Sequence, residues 1–153
     1  ATAEDLLILP SATFLGTTVG GNPLLINGVT VPLADNWVLV PSEKQEIKTA
    51  IDNFNVTIKG AADSAGYAFL DANTLFQELS TVGYTDGDYT LTSSLVSGGA
   101  LSLDGVHGTA RGYALIANEL MKAIDAKYGS NFEASGNLVD IGDYPTNYSP
   151  SLQ

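Results

Sequence analysis

The chain has 153 residues, 17 acids against 6 bases for a formal net charge of −11, and no cysteine. Its length suits one domain burying roughly 70% of its unfolded surface, and the lack of cysteine excludes disulfides, thiolate nucleophiles and cysteine metal sites. A one-signed negative charge repels phosphate backbones and anionic membrane surfaces, so nucleic acid is not an expected partner. No apolar run approaches the roughly 18 residues of a membrane span, so none is expected.

Residues 1–40 are apolar and rich in glycine, proline and threonine, with Gly21-Asn22 and Asn27-Gly28 interrupting short β-like runs. They predict irregular loops with one hairpin. Pro41-Ser42-Glu43-Lys44-Gln45 follows, with Ser42 placed as an N-cap and Gln45 three residues on, the pattern of a capping box. Ile47, Ile51, Phe54 and Ile58 then recur at helical spacing, which predicts a helix over about 43–64 with one buried stripe, closed near Gly66. "YAFLDA", 67–72, is short, apolar and bounded by Gly66 and Asn73, the signature of a buried strand. Helix, glycine turn and strand together make half of a parallel α/β unit.

"ANTLFQELST" predicts a short helix, and residues 84–97 turn toward loop and β, with Asp86-Gly87-Asp88 as a turn. Those two carboxylates lack the later ligands of a calcium loop and read as an acidic turn. A second long helix is expected over 110–128, with Tyr113, Ile116, Ala117, Leu120, Ile124 and Tyr128 on its buried face and Gly129 in the C-cap position. The last stretch, 129–153, holds few apolar anchors and predicts an extended tail that lies on the body or hangs from it.

Just before the second helix stands the chain's one histidine, in "SLDGVHGTARGYALIANEL". An aspartate three residues ahead of a histidine, in a turn eased by Gly105, brings its carboxylate within local reach of the imidazole Nδ1. His107 and Asp104 are therefore a candidate base and its orienting acid. The competing reading of the same residues is an ordinary surface pair. With one histidine and no cysteine, a zinc site has only carboxylates to complete it, so no metal and no cofactor is expected. Arg111, one of few bases, reads as a surface partner for a helix-end acid in preference to a contact for an anionic substrate.

"LDGVHGTARGYALIANELMKAI" resembles the last block of the GDSL or SGNH hydrolases, a family of esterases and lipases. That family's form is close to D-G-x-H-P-[TN]-x-x-G-[YH]-x-x-[IM]-A, and the chain matches it at Asp104, Gly105, His107, Thr109, Gly112, Tyr113, Ile116 and Ala117. Upstream, "EIKTAIDNFNVTIKGAADSAGYAFLDANTLFQEL" is similar to the family's penultimate helix and following strand, so the likeness covers roughly residues 42–128. The resemblance implies an α/β class and the C-terminal part of a flavodoxin-like α/β/α sandwich with a parallel sheet. Residues 1–40 are then an insertion-like segment, 41–128 the C-terminal half of the hydrolase-like domain and 129–153 a tail.

The resemblance also implies serine ester hydrolysis, with His107 as general base and Asp104 as its partner. Yet the G-D-S block that carries the family's nucleophile and the G-x-N-D block of its oxyanion hole are both missing. Asp63-Ser64 in "ADSAG" lies at a helix end, and Ser93, Ser94, Ser97 and Ser102 lack a nucleophile-elbow context. Gly108 stands where the family commonly has proline. The expected partners are thus an ester substrate and either the N-terminal half of the same protein or a self-associated copy. The other reading is a non-catalytic binding or structural module derived from the same fold. A periplasmic, cell-surface or secreted setting is favoured.

Overall fold

Consecutive glycines near the start set the first hairpin: Gly20 and Gly21 both take positive φ, 59° and 77°, as a type I′ turn demands. They join β2 (Thr18–Val19) to β3 (Asn22–Ile26) in an antiparallel pair, bulged between Thr18 and Val19, a hairpin that turns at Gly20-Gly21 and not at the expected Gly21-Asn22 or Asn27-Gly28. A second antiparallel pair links β1 (Leu6–Leu7) to β4 (Val38–Leu39), while Phe14 stacks on Trp37 with ring centroids 4.4 Å apart. The computed structural model describes residues 2–147. It divides into two compact units, 1–56 and 57–153, and α1 (Pro41–Ala65) begins in the first and ends in the second.

The start of α1 departs from the capping box read at Ser42. The helix begins at Pro41, whose missing N–H costs nothing in the first turn, and Glu43 Oε2 accepts from the Val40 N–H at 3.0 Å. The cap therefore sits two residues earlier than Ser42. The expected buried stripe is also corrected, because none of the described residues of α1 is buried. Ile47, Ile51, Phe54 and Ile58 are exposed by 48, 43, 65 and 55%.

The second unit contains α2 (Ala72–Thr81), the hairpin β5 (Tyr84–Asp86) and β6 (Tyr89–Leu91), and α3 (Ala110–Tyr128). Its core joins Leu75 and Leu79 of α2, Leu91 of β6, Ala100, Ala114 and Leu115 of α3, and Ile141. The expected tail therefore lies on the body as far as Asn147, with Ile141 buried in a short 3-10 turn; its last six residues fall outside those described. The "YAFLDA" strand is not formed. Residues 67–71 pair with no strand, and Asp71 instead caps α2 by accepting from the Thr74 N–H at 3.0 Å and its hydroxyl at 2.9 Å.

The architecture is a mixed α/β one, with three α-helices and small antiparallel sheets among the described residues. Every strand pair is antiparallel, so the expected parallel sheet and flavodoxin-like sandwich are not present among them. A strand needs a neighbour for its N–H and C=O groups, and among the described residues no strand lies beside 67–71. No helix is long and apolar enough to cross a membrane among the described residues.

Candidate active-site loop

The loop carrying Asp104 and His107 hangs from the first turn of α3. Thr109, the N-cap, accepts from the Gly112 N–H at 3.0 Å and donates its hydroxyl to the Gly99 carbonyl at 2.5 Å. Its own N–H donates to the Ala100 carbonyl at 3.0 Å. Gly112 is required at this contact, since a Cβ there would lie 2.1 Å from the Ala100 oxygen. Both arms of the loop are thereby fixed to the helix that follows.

Within the loop, Leu101 and Gly108 form an antiparallel bridge, and the Ser102 N–H donates to the His107 carbonyl at 2.8 Å. Gly105 turns the chain with φ of 72° and donates its N–H to the Ser102 carbonyl at 3.0 Å. Asn147 braces the outside, its amide donating to the Leu95 and Leu101 carbonyls at 2.8 Å each.

The structure brings the two expected site residues together. His107 Nδ1 lies 2.7 Å from Asp104 Oδ2. An ionised carboxylate only accepts, so Nδ1 carries the proton and the neutral ring leaves a lone pair on Nε2. That nitrogen has no hydrogen-bond partner among the described residues, and the His107 side chain is 70% exposed. Asp104 Oδ1 accepts three further bonds, from the Ser102 hydroxyl at 2.6 Å, the Val106 N–H at 2.9 Å and the His107 N–H at 3.0 Å. The Ser102 hydroxyl foremost, then the imidazole and the two amides, hold the Asp104 carboxyl well below the usual carboxylate range.

Ser102 is the participant that sequence reasoning passed over, having been grouped with ordinary turn serines. Its spacing two residues before Asp104 is the signal that could have found it. Arg111 is also corrected: it is no surface partner but 3% exposed, its Nε donating to the Tyr144 carbonyl at 3.0 Å and its guanidinium lying 4.4 Å from the Tyr89 ring. Asp86 accepts from the Asn118 amide at 3.4 Å, and no three His, Cys, Asp or Glu side chains converge on one point among the described residues.

Gly108 takes no positive φ, and a Cβ there would meet the Tyr113 ring at an ordinary 3.4 Å. The chain thus contains a preassembled aspartate–imidazole pair on a short, multiply tied loop. Chemically, such a pair can accept a proton at Nε2 and hold the resulting imidazolium against a carboxylate. No family model, no curated protein and no solved structure matches the chain.

Proposed function

We propose that Asp104 and His107 are the orienting acid and general base of an SGNH-type serine ester hydrolase, whose nucleophile and oxyanion donors come from another part of an α/β/α sandwich. The observation that carries this reading is the 2.7 Å contact of His107 Nδ1 with Asp104, which leaves Nε2 facing outward. Nε2 takes the serine hydroxyl proton as the oxygen attacks the ester carbonyl, then returns it to the departing alcohol. Water repeats the cycle on the acyl-serine, releasing the carboxylic acid.

Two features support a site completed from elsewhere. The hydroxyl of Ser102, the serine bonded within this loop, is turned to Asp104 rather than to His107. The exposed apolar stripe of α1 is what a helix face looks like before its neighbour is added.

The test is hydrolysis of p-nitrophenyl esters by the native assembly, with intact mass identifying any polypeptide that co-elutes with this chain. The expected result is a second segment bearing a G-D-S sequence and a loss of about 10²–10⁴-fold in kcat for His107→Ala. Unchanged hydrolysis in that variant overturns the assignment.

One observation favours the second reading, a non-catalytic module. Three of the four bonds to Asp104 hold the loop itself together. On that reading Asp104→Ala lowers the melting temperature and no assembly of the chain turns over esters.

A further inference from the structure

The carboxylate of Asp104 can rotate about its Cβ–Cγ bond, and only some orientations present Oδ2 to the ring. Oδ1 is held by three donors. Two are backbone N–H groups that any aspartate at this point of the turn would meet, and they approach from Val106 and His107 on the C-terminal side. The third is the Ser102 hydroxyl at 2.6 Å, reaching Oδ1 from the other arm of the loop.

Ser102 is itself fixed. Its N–H donates to the His107 carbonyl at 2.8 Å and its carbonyl accepts from the Gly105 N–H at 3.0 Å, so its backbone is tied to the D-x-x-H turn at two points. The residue is half-buried, whereas Asp104 and His107 are exposed. An exposed pair gains little from Coulomb attraction in water. Its geometry must therefore come from directional bonds.

Resting on the hydrolase reading of this loop, we infer that Ser102 is a positioning residue: its hydroxyl clamps Asp104 Oδ1, aims Oδ2 at the imidazole and so fixes the proton of His107 on Nδ1. It touches no substrate and acts through Asp104. Clamped from both arms, the carboxylate holds the base in the tautomer that presents a lone pair at Nε2. The hydroxyl is also the foremost reason that the Asp104 carboxyl stays ionised at low pH.

Because the chain contains a single histidine, its tautomer can be read without assignment, from long-range 1H–15N correlations of the full 153-residue chain at mildly alkaline pH. The native chain is expected to show a dominant Nδ1–H form. Ser102→Ala is expected to shift the ratio about threefold toward Nε2–H, and Asp104→Ala about tenfold, the equivalent of one charge-assisted bond.

Ser102→Thr and Ser102→Val are equal in shape and differ in the hydroxyl, so they repeat the comparison independently of how well the alanine variant folds. Threonine should restore the native ratio and valine should not. A ratio unchanged in both the alanine and valine variants overturns the inference, as does a threonine variant that behaves like valine. None of these signals depends on ester turnover. Loss of hydrolase activity in every assembly with the tautomer shift intact overturns the hydrolase reading alone.

Discussion

The two long helices were read from the same kind of periodicity and have opposite fates. α3 buries Ala114, Leu115 and Asn118, is capped by Thr109 at one end and by Gly129 with φ of 68° at the other. α1 is longer, carries a regular stripe of Ile47, Ile51, Phe54 and Ile58, and buries none of it. Periodicity reports that a helix has an apolar face; whether that face is covered depends on what else is present. The loop of Asp104 and His107 leads into the covered helix, and the open face lies on the other.

The contrast can be broken most sharply at the cores of the two helices. Leu115→Ala, at 1% exposure, is expected to cost about 2–5 kcal/mol in denaturant unfolding. Ile51→Ala in the isolated chain should stay within about 0.5 kcal/mol, as an exposed site does. Light scattering supplies the other half: a chain with this stripe uncovered should self-associate, and Ile51→Asp with Phe54→Asp should return it to a monomer. An Ile51→Ala cost close to that of Leu115→Ala would mean that α1 is covered within the single chain.

Next in size are the caps. Thr109→Ala removes both the Gly112 and the Gly99 bonds, and a loss of about 1–2 kcal/mol is expected, with His107 broadened in NMR spectra as the loop loosens. Asp71→Ala, the cap of α2, should cost about 0.5–2 kcal/mol and leave the His107 signals in place.

Acid sharpens the same distinction without a mutation. The Ser102 hydroxyl and its companions depress the Asp104 carboxyl, and the Thr74 amide and hydroxyl depress that of Asp71. A depressed acid adds stability that is fully present above its unfolded value near 3.9 and is lost as pH falls through the lower folded value. Acid should therefore loosen the Asp104 loop and the start of α2 only below the ordinary carboxylate range, read by carboxyl 13C shifts. α1 offers a contrast in its Lys48–Asp52 pair, exposed by 62 and 46%, whose contribution should vanish with added salt. A small effect of the opposite sign is Gly108→Ala, expected to stabilise by about 0.4–1 kcal/mol by restricting the unfolded chain.

The positions of the helices were legible because their signals are local. The expected span 110–128 coincides with α3, the short helix with α2, and α1 differs by one or two residues at each end. The face of α3 was not legible. Tyr113, Leu120 and Tyr128 were expected inside and are exposed, while the inward side is made by Ala114, Leu115 and two polar residues, Arg111 and Asn118. Asn118 exchanges two bonds with the Val139 peptide, 2.9 Å each way, a partner 21 residues distant that no helical pattern announces.

The strand expected at 67–72 failed for a related reason, since pairing is a property of two segments and composition describes one. The Asp104–His107 contact was readable because three residues of turn fix it. Ser102 escaped because a hydroxyl's role depends on the carboxylate it meets, and serine is common in turns.

Arg111 has a consequence for shortening the protein. Its N–H donates to the Pro145 carbonyl, and its guanidinium meets the carbonyls of Tyr144 and Gly142, all supplied by a stretch some 31–34 positions downstream. Clipping the chain behind Asn137 would strip those oxygens from a permanently charged group seated against an aromatic ring at the root of the histidine loop. Water would have to enter there to solvate it. Trimming at the far end thus brings hydration to the near end, and proteolysis distant in sequence becomes a way to loosen the histidine loop without touching it.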